Sequence, residues 1–359
     1  MTRVAIVGAS GNVGSRVVEQ LRAVGIDDLV GVVRRPPDGP SALRWVSCDI
    51  GARGSAELLA AAFDGVDAVV HLAWQIQPGR DVDQLHRTNV IGSQRIADAV
   101  VAARVPALIY ASSVGTYSPG PKHRPVEESW PTDGIPTSTY ARHKAAVERQ
   151  LDTLEASHPA VRVVRLRPGL IFQRSAASEI ARYFLGPYVP LSAIRRRLVP
   201  VVPAFPRLSF QVVHTEDVAR AFARAVTDES ARGAFNLAAD PVFDADRLGE
   251  TLGARPVPVP FRVLRSAADA AFRARLIPTD AGWLDLAAAV PVMSTERART
   301  VLGWEPRHSA QQTLLELIEG MHDKAGRHTA PLEPAPSGAR RVAESVLTAV
   351  RGGPGSENP

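Results

Sequence analysis

One cysteine, Cys48, in 359 residues excludes an internal disulfide, and no group of Cys and His stands at metal-ligand spacing, so no metal is expected. No apolar run reaches the length of a membrane-crossing helix. Met1-Thr2-Arg3 leads straight into a β-like run without the regions of a secretory leader, so a soluble, cytoplasmic protein with no membrane partner is the expectation. Charge of one sign does not dominate: 42 Lys and Arg stand against 37 Asp and Glu, a formal net charge of +5. The arginines are dispersed apart from one run at 195–197, which fits a solvated basic face and argues against nucleic acid as a partner.

What is present begins with 45% hydrophobic residues, enough for one large α/β domain and a smaller one. The stretch Val4 to Leu21, VAIVGASGNVGSRVVEQL, reads as strand, glycine turn and helix. Gly8, Gly11 and Gly14 stand where a backbone turns sharply, approaches a ligand and lets a helix pack on its strand. Val13, Val17, Val18 and Leu21 recur at helical spacing, and the free N–H groups at such a helix start suit a dinucleotide diphosphate. The spacing is GxxGxxG rather than GxGxxG, which leaves a structural tight turn as the bland alternative.

Leu29 to Val33 is a second strand that stops at Arg34-Arg35. An acid there would accept from ribose hydroxyls, whereas Arg34 suits a 2′-phosphate, so NADP(H) is favoured and NAD(H) is the alternative. Val66 to Ala73, Ala107 to Ala111 and Val161 to Leu166 are apolar runs of parallel-strand character. Val82 to Ala103 is a long amphipathic helix containing Asn89. Ala176 to Phe205 mixes apolar, basic and proline residues and reads as a lid or substrate segment. Phe210 to His214 and Phe235 to Ala238 are late strands flanking a helix from Asp217 to Val226, and Met293 to Leu302 and Leu314 to Met321 are further helices. From Lys324 the composition turns to Pro, Gly, Ala and Arg, a flexible tail with one short helical stretch at 340–351. Residues 1–169 then form a dinucleotide-binding domain to which a late strand within 210–238 returns, 170–323 a lid and substrate domain, and 324–359 the tail.

Tyr140 and Lys144 lie four apart on an expected helix, one turn from each other on one face. An ammonium beside a phenol lowers its pKa in the direction that acid–base work requires. Ser113 follows a parallel strand at the end where ligands bind, from which its hydroxyl would hold a substrate oxygen near Tyr140. The three together fit hydride-transfer chemistry on a small-molecule substrate. Trp74, Gln75, Tyr117, Phe172 and Arg174 occupy places from which side chains would line a substrate cleft.

GASGNVG, Cys48-Asp49-Ile50, HLAW, TNVIGS, YASSVGTY, YARHK, RLRPGLIF, VVHTEDVARAF and Leu302-Gly303-Trp304 follow one another here, and the chain resembles the extended short-chain dehydrogenases/reductases, the NAD-dependent epimerase/dehydratase superfamily, from Arg3 to about Met321. The resemblance implies an α/β, Rossmann-type doubly wound parallel sheet with a smaller C-terminal substrate-binding domain, and a homodimer. It makes Tyr140 the acid–base residue, Lys144 its partner on tyrosine and ribose, Ser113 the substrate-hydroxyl binder and Asn89 a support of the site and its water relay. Gly8, Ser10, Gly11, Asn12, Val13 and Gly14 correspond to the diphosphate loop, Asp49 and Ile50 to adenine contacts, Leu72 and Ala73 to a further cofactor contact, and Pro168 to the proline near nicotinamide. Val114-Gly115 stands where sugar dehydratases carry an acidic pair, which argues against dehydration. An NAD(P)-dependent oxidoreductase acting on a carbonyl or secondary alcohol is the leading expectation. A nucleotide-sugar epimerase and a non-catalytic cofactor-binding regulator are the alternatives.

Overall fold

The computed structural model describes residues 2–38, 43–77, 79–185, 191 and 200–334. The apolar runs form seven parallel strands: β1 (Arg3–Val7), β2 (Asp28–Val33), β3 (Arg44–Ser47), β4 (Ala68–His71), β5 (Ala107–Ala111), β6 (Arg162–Pro168) and β7 (Gly233–Leu237). Their order across the sheet is β7-β6-β5-β4-β1-β2-β3. Alternation along the strands assigns the two faces. Val4, Ile6, Val70 and Ile109 join one core with helices α1 (Asn12–Ala23) and α5 (Thr215–Thr227). Ala5, Val7, Val69 and Leu108 join the other with α2 (Ser55–Phe63), α3 (Gly92–Ala102) and α4 (Thr139–Ser157). Each such aliphatic side chain contributes roughly 1.5–3 kcal/mol on burial, which is why runs apolar on both faces become central parallel strands.

The order in which the chain adds strands reverses between β1 and β4, so a crevice opens at their C-terminal ends. It lies between the glycine turn after β1 and the chain leaving β4, where the Leu72 N–H donates to the Val7 carbonyl at 2.8 Å. A smaller unit follows β6. Its three-stranded sheet takes Leu170–Phe172, Phe210–His214 and Ala239–Phe243, beside a parallel pair of Val201–Ala204 and Arg255–Pro258. Of the two late strands, Gly233–Leu237 is thus the edge of the large sheet, while Phe210–His214 pairs within the small one.

Three local features differ from the sequence reading. The helix expected over 82–103 is Val82–His86, a π-type turn at Arg87–Ile91, then α3. The helix expected from Met293 is a short strand, Val292–Met293, followed by a single helical turn at Glu296–Thr300. Residues 324–334 are not a loose tail: Leu332 is fully buried, the Thr329 hydroxyl donates to the Ser10 carbonyl at 3.0 Å, and Arg327 pairs with Glu19 at 2.9 Å. Scattered anchors on a segment without periodicity make this packing illegible from composition. The basic run 195–197 and the helical stretch 340–351 lie outside the described residues. Among the described residues no helix is long and apolar enough to cross a membrane.

Candidate functional site

The glycine turn forms a cradle. Gly8 has a φ of +93°, and a Cβ there would sit 2.8 Å from the Ala73 nitrogen; a Cβ on Gly14 would sit 2.1 Å from the Gly8 carbonyl oxygen. Only glycine lets β1, α1 and the end of β4 approach this closely. A Cβ on Gly11 would meet nothing nearer than the Gly8 oxygen at 3.4 Å, and the first turn of α1 bears no acidic side chain. A glycine turn that leads into a helix start without acidic side chains fits a dinucleotide diphosphate. Ser10 is buried and Val13 half-buried in this turn. The Asn12 side chain is taken up by protein: its Oδ1 accepts from Gln173 Nε2 at 2.7 Å and from the Thr215 hydroxyl at 3.2 Å. Gln173, fully buried and itself accepting from Arg16, braces the loop, a role no sequence signal marks.

Arg34 is exposed just past the end of β2. Asp49 is also exposed, its Oδ1 accepting from the Gly51 N–H at 2.9 Å, while Ile50 is buried in the core beside α3. Leu72 and Ala73 are half-buried beside Gly8, and Pro168 is buried at the end of β6, in register with Leu237.

Ser113 and Tyr140 are brought together. Ser113 follows β5 and caps a short 3-10 turn, its Oγ accepting from the Gly115 N–H at 3.0 Å. Tyr140 enters from the first turn of α4, whose start is set by Ser138 accepting from the Ala141 N–H. A Cβ on Gly115 would sit 2.8 Å from Tyr140 Cε1, so the pair needs glycine there. Burial raises the Tyr140 phenol to about 12, partly offset by its hydrogen bond with Ser113. At neutral pH the proton stays on oxygen.

Lys144 departs from the expectation that it lowers the Tyr140 pKa. Its Nζ donates to the Ala111 carbonyl at 2.7 Å and to Tyr110 Oη at 3.3 Å, lies 3.6 Å from the centre of the Trp74 ring, and is 5.9 Å from the Tyr140 ring. Burial pushes its pKa well below the ordinary lysine value, with Glu148 opposing. One turn further along α4, Glu148 is held between Arg167, at 2.9 Å from both carboxylate oxygens, and the Ser112 hydroxyl at 2.5 Å. Sequence reasoning missed this buried acid, although a Glu four residues past Lys144 on the packed face was its signal.

Asn89 sits in the π-type turn, 2% exposed, and its amide holds the main chain of Gln75. Trp74 and Gln75 line the pocket in front of Tyr140, together with Trp283 from helix Gly282–Ala289, which the sequence reading did not single out. Tyr117, Phe172 and Arg174 do not line that pocket. Tyr117 is fully buried, its Oη donating to Asn236 at 2.6 Å and accepting from Arg167 at 3.0 Å. Phe172 packs in the cores of the small unit, and the Arg174 guanidinium pairs with Asp323. The short polar or apolar side chains each finds locally outcompete the cleft.

The fold also gathers His214, Glu216 and His308, whose ligand atoms lie within 4.8 Å of one another. His214 Nδ1 accepts from the Glu216 N–H, its Nε2 lies 3.2 Å from Glu316, and His308 Nδ1 lies 3.1 Å from Asp217. The two ring centroids lie 4.0 Å apart with planes tilted by 32°.

The profile of the NAD dependent epimerase/dehydratase family matches residues 4–238. An uncharacterised protein of Mycobacterium tuberculosis is 25% identical over 326 residues, which cover 90% of this chain but 30% of that protein, so the chain spans about a third of its length. The dTDP-6-deoxy-L-talose 4-dehydrogenase (NAD(P)(+)) of Kitasatospora kifunensis is 27% identical over 338 residues, covering 88% of this chain and 94% of the relative. Among solved structures, UDP-glucose 4-epimerase of Thermus thermophilus in complex with NAD superposes with a TM-score of 0.65 at 20% identity, over 89% of this chain and 99% of that one.

Proposed function

Because the chain belongs to the NAD-dependent epimerase/dehydratase family, an enzyme family of the extended short-chain dehydrogenase/reductase type, we propose that it moves hydride between a nicotinamide and a carbonyl or secondary alcohol of a small molecule. One observation carries the reading: a hydrogen-bonded Ser113–Tyr140 hydroxyl pair stands at the C-terminal end of β5, two strands from a cradle that fits a dinucleotide. The nicotinamide supplies or takes the hydride. Tyr140 Oη holds the proton that the substrate oxygen gains or loses, and Ser113 Oγ orients that oxygen. Lys144 anchors the wall behind Trp74 through the Ala111 carbonyl, and Asn89 fixes the loop that carries Trp74 and Gln75. Burial keeps the Tyr140 phenol protonated at neutral pH, the state from which it donates to a carbonyl oxygen.

Arg34 supports NADP(H) as the cofactor, and a homodimer is part of the same reading. The epimerase reading draws on the name of the Thermus thermophilus neighbour, and would require a nucleotide sugar to reach Tyr140. The deciding experiment is Tyr140→Phe, which removes only the hydroxyl: cofactor affinity and fold should survive while hydride transfer falls by about two or more orders of magnitude. Near-normal transfer rates would reject the acid–base assignment.

A further inference from the structure

Tyr140 is walled in by aromatic rings. Trp74 meets it edge-on at 5.8 Å, Trp283 lies against it at 4.9 Å with planes 38° apart, and Phe184 closes on Trp283 edge-on at 4.9 Å. The free space left in front of Tyr140 is about 20 Å³, room for one water. A substrate ring seated against Tyr140 in the place of Trp283 meets the two ring faces that this exposes. A flat ring restores those contacts.

The polar part of the lining is equally specific. Trp74 Nε1, Gln75 Oε1 and His143 Nδ1 are buried and lack a protein partner, leaving one donor, one acceptor and an imidazole nitrogen. Burial, with His86 and Arg142 nearby, pushes His143 down to about 4, so it is uncharged at neutral pH. Among the described residues that line the pocket there is no Arg or Lys, and Asp280 is an acid. Lys144, over the Trp74 ring, is held by the Ala111 carbonyl. Among the described residues, an anionic group seated against Tyr140 would meet the Asp280 carboxyl group and no free cation, an uncompensated burial of charge.

We propose that this pocket takes an uncharged, flat ring compound bearing the reacting carbonyl or alcohol and a further hydrogen-bonding group, with Trp283 and Trp74 gripping the ring as specificity-determining residues. The inference rests on the hydride-transfer reading of the same site and narrows its substrate class. The test is calorimetric binding of para-hydroxyacetophenone and, separately, UDP-glucose to the whole protein, without cofactor and with NADP+, followed by NADPH oxidation with the ketone. The ketone should bind saturably and UDP-glucose should not. Trp283→Ala should weaken the ketone by about tenfold or more and raise KM more than it lowers kcat, while Trp283→Phe, which keeps a ring in the wall, should stay within about threefold of the parent. Saturable UDP-glucose binding without ketone binding, binding of neither, or ketone affinity indifferent to Trp283→Ala in a folded variant would each overturn the proposal. Failure of the hydride-transfer reading looks different: the ketone binds and depends on Trp283, yet NADPH is not consumed.

Discussion

Both ends of the Asn89 side-chain amide are bonded to the main chain of Gln75: Oδ1 accepts from its N–H and Nδ2 donates to its carbonyl, each at 2.8 Å. The π-type turn at Arg87–Ile91 carries Asn89, and the Ser93 hydroxyl donates to its carbonyl at 2.6 Å. The loop leaving β4 is thus fastened by one side chain.

Asn89→Ala should therefore lower stability by about 2–3 kcal/mol, because two half-buried main-chain groups lose their partner at once. Asn89→Asp, which keeps the acceptor but turns a buried carboxylate oxygen toward the Gln75 carbonyl, should cost at least as much. Urea unfolding of the three proteins checks the order; an alanine variant as stable as the parent would mean that the loop is held elsewhere.

Arg34 tests cofactor choice. A guanidinium on a 2′-phosphate makes charge-assisted hydrogen bonds, so Arg34→Ala should weaken NADPH by roughly 1–3 kcal/mol and leave NADH nearly unchanged in calorimetric titration. Equal losses for both would reject the assignment.

Glu179 gives a pH-dependent prediction. It is 7% exposed on helix Ala177–Phe184, accepts from Tyr183 Oη at 2.8 Å, and burial raises its carboxyl from 4.5 to about 7. A raised folded-state pKa favours the protonated form, so this contribution to stability is complete below pH 4.5 and is lost as pH rises through about 7. Glu179→Gln should leave the thermal midpoint unchanged near pH ~4 and raise stability by about 2–3 kcal/mol near pH ~8.5. A gain of equal size at both values would assign the effect to packing instead.

The segment after Lys324 supplies the fourth. Leu332→Ala removes a fully buried side chain and should cost about 2–5 kcal/mol in unfolding free energy. Truncation after Lys324 should lower the melting temperature as well, since Arg182 donates to the carbonyls of Pro331 and Glu333 in that segment. An unchanged midpoint would restore the loose tail that composition suggests.

The centre of the large sheet was legible because its inner strands obey one simple rule, burial on both faces, and Ala107–Ala111 has the bounds that its apolar run suggests. Tyr140, Lys144 and Ser113 were legible because a four-residue helical spacing and a strand end are local facts. Trp283 was not, because helix Gly282–Ala289 is rich in alanine and its contact with Tyr140 spans the two units of the fold. The direction of Lys144 was not legible either: spacing places it one turn from Tyr140, but the choice of the Ala111 carbonyl belongs to β5. Arg174 misled for the opposite reason, since an exposed Asp323 far along the chain gives it a nearer partner.

The bond from Thr329 to the Ser10 carbonyl joins positions 319 residues apart. That closure must wait for residue 329, because the far end of the loop does not exist while the near end is already synthesised. The glycine turn is therefore made well before its Thr329 bracket, and a nascent chain halted between the two would carry the turn without that bond.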